Sequence, residues 1–177
     1  MATCQQLAAA FGETNLVTAP PHPKGEGVFP REISEVMFHT GLPGHVPGIF
    51  TLRLEGRPKA FNVLTASDAE GDLDVLCVGA PSAKSSLRYC VDIDHGHVVL
   101  IDLEEESVEL INNSISTFLE FLLHIGLFLK SADDQANDQQ KNPYFDLLVA
   151  HLSRVDAFAL KNAQNWWPTI MDRIHGR

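Results

Sequence analysis

Asp92, Asp94, His95 and His97 are the residues whose types and spacing come nearest to metal chemistry. Side chains two apart on a strand share a face, so His95 and His97 could join one aspartate around a divalent ion. A catalytic zinc needs three well-placed ligands and an open position, and this group contains no third histidine. The same residues serve equally as a hairpin turn, with Asp94-His95-Gly96 between two apolar runs. The turn is the preferred reading, so neither a metal nor another cofactor is expected. Nucleophilic chemistry finds no better footing. There is no GxSxG elbow around Ser85 or Ser86, no P-loop and no GxGxxG, and Cys4 lies at the terminus. The chain is therefore not expected to be an enzyme, with a metal-dependent enzyme using His95 and His97 kept as the outlying alternative.

Periodicity supplies the elements that would position these residues. Residues 18–27 carry Pro20, Pro21, Pro23, Gly25 and Gly27, which oppose regular structure, and residues 1–28 read as a loosely ordered extension with a short helical turn near Gln5. Pro30 suits a helix start, predicting a helix from Arg31 to Phe38 that stops near Gly41. Phe50, Leu52 and Leu54 then alternate with polar residues, and further strands are predicted at 60–65, 73–78, 87–93, 98–103 and 107–111. In the 87–93 strand Leu87, Tyr89, Val91 and Ile93 alternate with Arg88, Cys90 and Asp92, the pattern of a half-buried strand. Short connections between these strands favour antiparallel pairing. Asn113 or Ser114 can cap the next helix, which presents Ile115, Phe118, Leu119, Leu122, Ile125 and Leu129 at helical spacing. Residues 131–142 read as a polar loop. Asn142-Pro143 opens another helix, with Tyr144, Leu147, Leu148, Leu152 and Val155 facing inward, and Asp156 caps a short helical piece from Ala157. A last segment packs through Trp167, Ile170, Met171 and Ile174. The expected class is α+β: a central antiparallel sheet of about five to six strands flanked by N-terminal and C-terminal helices, in one domain spanning 1–177.

Bulk charge narrows the partners. The formal net charge is −10. A nucleic-acid backbone demands a basic face, and an anionic membrane does too, so both are excluded as partners. Cys4, Cys77 and Cys90 form neither a CxxC pair nor an even framework. The first residues lack the pattern of a secretory signal, and the apolar run 115–129 is too short to span a bilayer, so the expected location is cytoplasmic. His39, His45, His124 and His151 are read as ordinary structural or surface histidines.

One acidic run stands out as a contact surface. Asp102, Glu104, Glu105, Glu106 and Glu109 lie close together with no basic residue among them, and Asp133, Asp134 and Asp138 form a second acidic stretch. Any single carboxylate is best explained as a solvated loop residue. As a group the first run suits association with a basic protein, because complementary charge mainly speeds and selects encounter.

Several ordered segments together carry a family resemblance: Gly41-Leu42-Pro43 leading to Phe50; Asp94-His95-Gly96-His97-Val98 with Asp102 beyond; Asn112-Asn113-Ser114-Ile115 with Phe118-Leu119; and Val155-Asp156 through Trp167 to Ile174. From Arg31 onward the chain resembles the SUKH superfamily of immunity proteins, nearest its fourth subgroup. The resemblance implies an α+β fold and the neutralisation of a cognate bacterial toxin, such as a nuclease or nucleic-acid deaminase, by direct contact. The toxin would be basic, and the chain a monomer or weak homodimer. A regulatory scaffold of the same fold, with no dedicated toxin, is the alternative.

Overall fold

The computed structural model describes residues 2–21, 29–67, 71–134 and 143–175. Thr3 opens the first helix, α1 (Cys4–Phe11), with a reciprocal cap: the Gln6 N–H donates to its hydroxyl at 3.2 Å, and its own N–H donates to the Gln6 side chain at 2.9 Å. A short 3-10 turn leads into β1 (Leu16–Val17). Pro30 precedes α2 (Arg31–Ser34), which continues as a π-helical stretch through Glu35–Thr40 until Gly41, at φ 81°, ends it. Two short antiparallel pairs come next: β2 (Leu42–Pro43) on β1, and β3 (His45–Val46) on β4 (Phe50–Thr51).

The main sheet is a five-stranded meander of β5 (Val63–Ser67), β6 (Asp72–Gly79), β7 (Leu87–Asp92), β8 (Val98–Asp102) and β9 (Ser107–Asn112), every neighbouring pair antiparallel. Three helices complete the chain: α3 (Ile115–Asp134), α4 (Pro143–Val155) and α5 (Trp166–His175). The expected α+β architecture is therefore present, with helices before and after a central antiparallel sheet.

Ser114 caps α3 reciprocally: Thr117 N–H donates to its hydroxyl at 3.3 Å, and its own N–H donates to Thr117 Oγ1 at 3.2 Å. Ile115, Phe118, Leu119, Phe121, Leu122, Leu123 and Ile125 are all buried, because α3 packs against α1, α2 and α4 as well as the sheet side of the core. Leu129, expected on the buried stripe, is only partly covered. Trp167, Ile170, Met171 and Ile174 of α5 are buried as predicted.

The N-terminal segment differs from expectation. Leu7 of α1 is fully buried, Phe11 packs on the core, and β1 is hydrogen-bonded into a sheet, so residues 2–17 are part of the domain and not a loose extension. The physical reason is Gly126 in α3: a Cβ there would lie 2.5 Å from the Phe11 ring, so the missing side chain is what lets α1 lie against α3. The polar loop expected from 131 also begins later, since 131–134 continue α3. Segments 22–28 and 135–142, with Asp138, lie outside the described residues, as does the Asp68 turn.

A second difference concerns β7. It is buried on both faces and not half-buried, because the segment after β4, with Leu54 and Glu55, packs against the far side. Phe50 and Leu52 join the main core, whereas Leu54 joins Val75, Cys77, Cys90, Val99 and Ile101 in a smaller cluster on the opposite face. Leu54 is therefore not on the face it was predicted to share with Phe50 and Leu52. Arg88, 3% exposed, ties this covering segment down by donating to the Glu55 carbonyl at 2.9 Å and to the Ser85 and Leu87 carbonyls. Cys77 and Cys90 sit opposite each other in the β6–β7 register, both buried and reduced. Contact with Cys77 and burial push the Cys90 thiol up, and both side chains pack in the smaller cluster as small hydrophobes.

Candidate functional site

The acidic run occupies the β8–β9 hairpin. Asp102 pairs with Ser107 at its base, and residues 103–106 form the connecting turn. Asp102 builds this turn: its carboxylate accepts the Glu104 N–H at 2.9 Å and the Glu105 N–H at 3.4 Å. These bonds, with one from Ser86, outweigh the little desolvation and hold its carboxyl below the ordinary aspartate range. Glu106 has φ 51°, the left-handed conformation that closes the turn. Glu104, Glu105 and Glu106 are exposed, so three of the five predicted contact residues share one accessible tip.

Glu109 stands apart from that tip. It is half-buried, and its carboxylate accepts the Trp166 N–H at 2.8 Å at the start of α5. An acceptor carboxylate there satisfies an otherwise unpaired donor and complements the helix dipole. Replacing Glu109 with Ala should therefore cost about 1 kcal/mol of stability, read as a lowered urea midpoint, through the loss of this cap.

The Asp92–His97 stretch is turn chemistry. Asp92 is buried and accepts the Asp94 N–H at 2.9 Å, the His95 N–H at 3.1 Å and His95 Nδ1 at 2.7 Å. His97 Nδ1 donates to the Asn113 carbonyl at 2.9 Å, and the two imidazoles stack with centroids 6.1 Å apart. Gly96, at φ 76°, completes the loop. The inward-facing aspartate is thus spent on its own turn.

Below this hairpin lies a buried polar node. Asp156, expected only as a helix cap, is 3% exposed and accepts from Asn113 Nδ2 at 2.7 Å, the Asn113 N–H at 2.8 Å, Asn112 Nδ2 at 3.1 Å and the Thr117 hydroxyl at 3.1 Å. Its capping contact with the Ala159 N–H is the longest, at 3.4 Å. Asn112 in turn accepts Trp167 Nε1 at 2.8 Å. One network therefore ties the end of β9, the start of α3 and the start of α5 to the chain after α4.

A concave surface lies between α3 and α4. It is a groove of about 420 Å³ lined by His124, Leu127, Phe128, Ser131, Tyr144, Leu147, Leu148 and His151. Leu148 is buried as predicted, but Tyr144 and Leu147 are 54% and 65% exposed on its rim, not packed inward. The inward stripe of α4 is Phe145, Leu148, Val149, Leu152 and Val155, so Leu152 and Val155 face inward as predicted while Phe145 and Val149 take the places expected of Tyr144 and Leu147. At the groove His124 Nε2 lies 3.3 Å from a Glu120 carboxylate oxygen, and the His124 and His151 rings are 4.1 Å apart between centroids. Burial and His151 push the His124 pKa down, against a smaller opposing pull from Glu120. These two histidines, read from the sequence as ordinary, are brought together by helix packing. The i, i+4 spacing of Glu120 and His124 was visible in the sequence; the approach of His151 was not.

Comparison with known proteins decides the family. The model of the SUKH-4 immunity protein family matches residues 2–173. The chain belongs to the SUKH-4 immunity protein family. The match takes in α1 and β1 as well as the segment from Arg31, in agreement with their packing on the core. No curated protein and no solved structure matches this SUKH-4 chain. Among the described residues, no helix is long and apolar enough to cross a membrane.

Proposed function

We propose that this SUKH-4 protein protects a bacterial cell by binding a cognate toxin directly, as a stoichiometric inhibitor that performs no chemistry. The observation that carries the reading is family membership over nearly the whole chain. The geometry supplies a means. Glu104, Glu105 and Glu106 project from a hairpin whose base is fixed by Asp102 and whose second strand is anchored to α5 through Glu109. Such a tip presents concentrated negative charge on a rigid support, suited to the basic groove of a toxin that acts on nucleic acid. The net charge of −10 adds long-range attraction of the same sign. In this reading the protein acts in the cytoplasm as a monomer or weak homodimer, with no nucleic-acid or membrane partner.

The test is the kinetics of toxin association, using the product of the adjacent gene as candidate toxin. Replacing Glu104, Glu105 and Glu106 with Gln should slow association about tenfold or more at low salt, with an unchanged unfolding midpoint. Raising the salt should erase most of the difference, because screening falls on exposed charges. Wild-type association rates in the triple variant would remove this hairpin from the interface.

A further inference from the structure

At the α3–α4 groove, two lining histidines and a neighbouring glutamate form a set of side chains that toxin binding through the β8–β9 tip does not use. Glu120 and His124 stand one helical turn apart on α3, and His151 approaches from α4. One ligand-type atom from each of the three lies within 4.8 Å of the others, the one such group of His, Cys, Asp or Glu among the described residues. All three are half-buried, so a bound ion would be partly withdrawn from water without being sealed off. The Nε2 atom of His151 is buried with no hydrogen-bond partner. A buried ring nitrogen ordinarily finds a partner, and a cation shared with the neighbouring imidazole and carboxylate would supply one.

We propose that Glu120, His124 and His151 form a zinc site beside the α3–α4 groove, which the two histidines line. Two imidazole nitrogens and one carboxylate oxygen suit a borderline-soft divalent ion and not magnesium or calcium, which favour oxygen shells. The His124–Glu120 separation of 3.3 Å is already that of neighbouring ligands around a tetrahedral ion, so the larger movement falls on the His151 ring. Three protein ligands leave a fourth position, which opens into the groove that His124 and His151 line and is filled by water. The ion joins α3 to α4 at the groove that the exposed Tyr144 and Leu147 also line. The aspartate-rich His95–His97 turn is a separate place, with Asp92 and His97 committed to their own hydrogen bonds.

The experiment is calorimetric titration of the metal-free full chain with zinc chloride at neutral pH, with magnesium chloride as the comparison. The expected result is one zinc per chain, no magnesium uptake, and a melting temperature that rises with zinc. His124→Gln and His151→Gln should each weaken zinc by at least about tenfold, and Glu120→Gln by a similar factor, since loss of even an outer-shell partner costs that much. Circular dichroism of each metal-free variant establishes that it folds. A His95→Gln/His97→Gln double variant should bind zinc as the wild type does. Cobalt substitution gives a readout independent of those variants: an intense visible absorption marks a four-coordinate ion. The proposal is overturned by a chain that takes up no zinc at micromolar concentrations. Binding abolished in the His95/His97 variant but intact in folded His124 and His151 variants overturns it equally.

Discussion

Replacing Asp156 with Ala should unfold this protein more readily than any other single change to a polar residue. The carboxylate accepts from both side-chain amides of Asn112 and Asn113, from the Asn113 backbone and from the Thr117 hydroxyl. Truncation leaves the Asn112 amide buried and the Thr117 hydroxyl half-buried without this acceptor, and groups stranded in this way forfeit hydration, whereas the exposed Asn113 can turn to water. The expected loss is about 2–4 kcal/mol, a large part of the roughly 5–15 kcal/mol that holds a domain of this kind together. Urea unfolding should show a much lower midpoint with an unchanged slope. Asp156→Asn keeps one carbonyl oxygen in place and should lose only about 1–3 kcal/mol. Trp167→Phe, which breaks the Nε1 bond to Asn112, should show coupling to Asp156→Asn in a double-mutant cycle, because both act on the same network. Equal losses from Asp156→Ala and from an exposed aspartate would contradict this role.

Gly79→Ala should cost about 3 kcal/mol by a different route. Gly79 ends β6 at φ 151°, where a side chain is strained, and an added Cβ would sit 2.5 Å from the Phe50 ring and 3.0 Å from the Thr51 carbonyl. Those atoms belong to the junction where Thr51 and Ala80 exchange backbone hydrogen bonds at 2.8 and 3.0 Å, joining the β3–β4 pair to the main sheet. Phe50 cannot step aside easily, being stacked on Tyr89 and edge-on to Phe118 in the core. Gly96→Ala is the control: φ is 76°, but no atom lies within 4 Å of the added carbon, so only the conformational cost of about 1–2 kcal/mol remains. Thermal unfolding of the two variants side by side separates steric overlap from backbone strain. A Gly79 variant no worse than the Gly96 variant would show that the junction can shift.

Features governed by local rules were legible in the sequence. Apolar runs bounded by turn residues located β6 to β9, and the apolar spacing of Trp167, Ile170, Met171 and Ile174 gave the buried face of α5. Asp94-His95-Gly96 read correctly as a turn because Asx and glycine chemistry acts over a few residues. Longer-range effects were not legible. Leu54 alternates with Phe50 on paper, yet the chain crosses to the other face between them. Asp156 looks like a cap until β9 and α3 bring Asn112, Asn113 and Thr117 to it. Gly126 carries no sequence signal for the docking of Phe11. In the acidic run, composition treats its members alike, whereas Asp102 builds the turn, Glu109 caps α5, and only Glu104, Glu105 and Glu106 are left at the tip.

Stoichiometry separates a binding protein from an enzyme most directly. A fixed amount of the candidate toxin is titrated with this protein while residual toxin activity is followed. Inhibition by complex formation predicts a linear fall that ends at one molecule per toxin, with both chains recovered intact in a 1:1 complex. Silencing of excess toxin by a small fraction of an equivalent, with covalent change in the toxin or its substrate, would contradict the account.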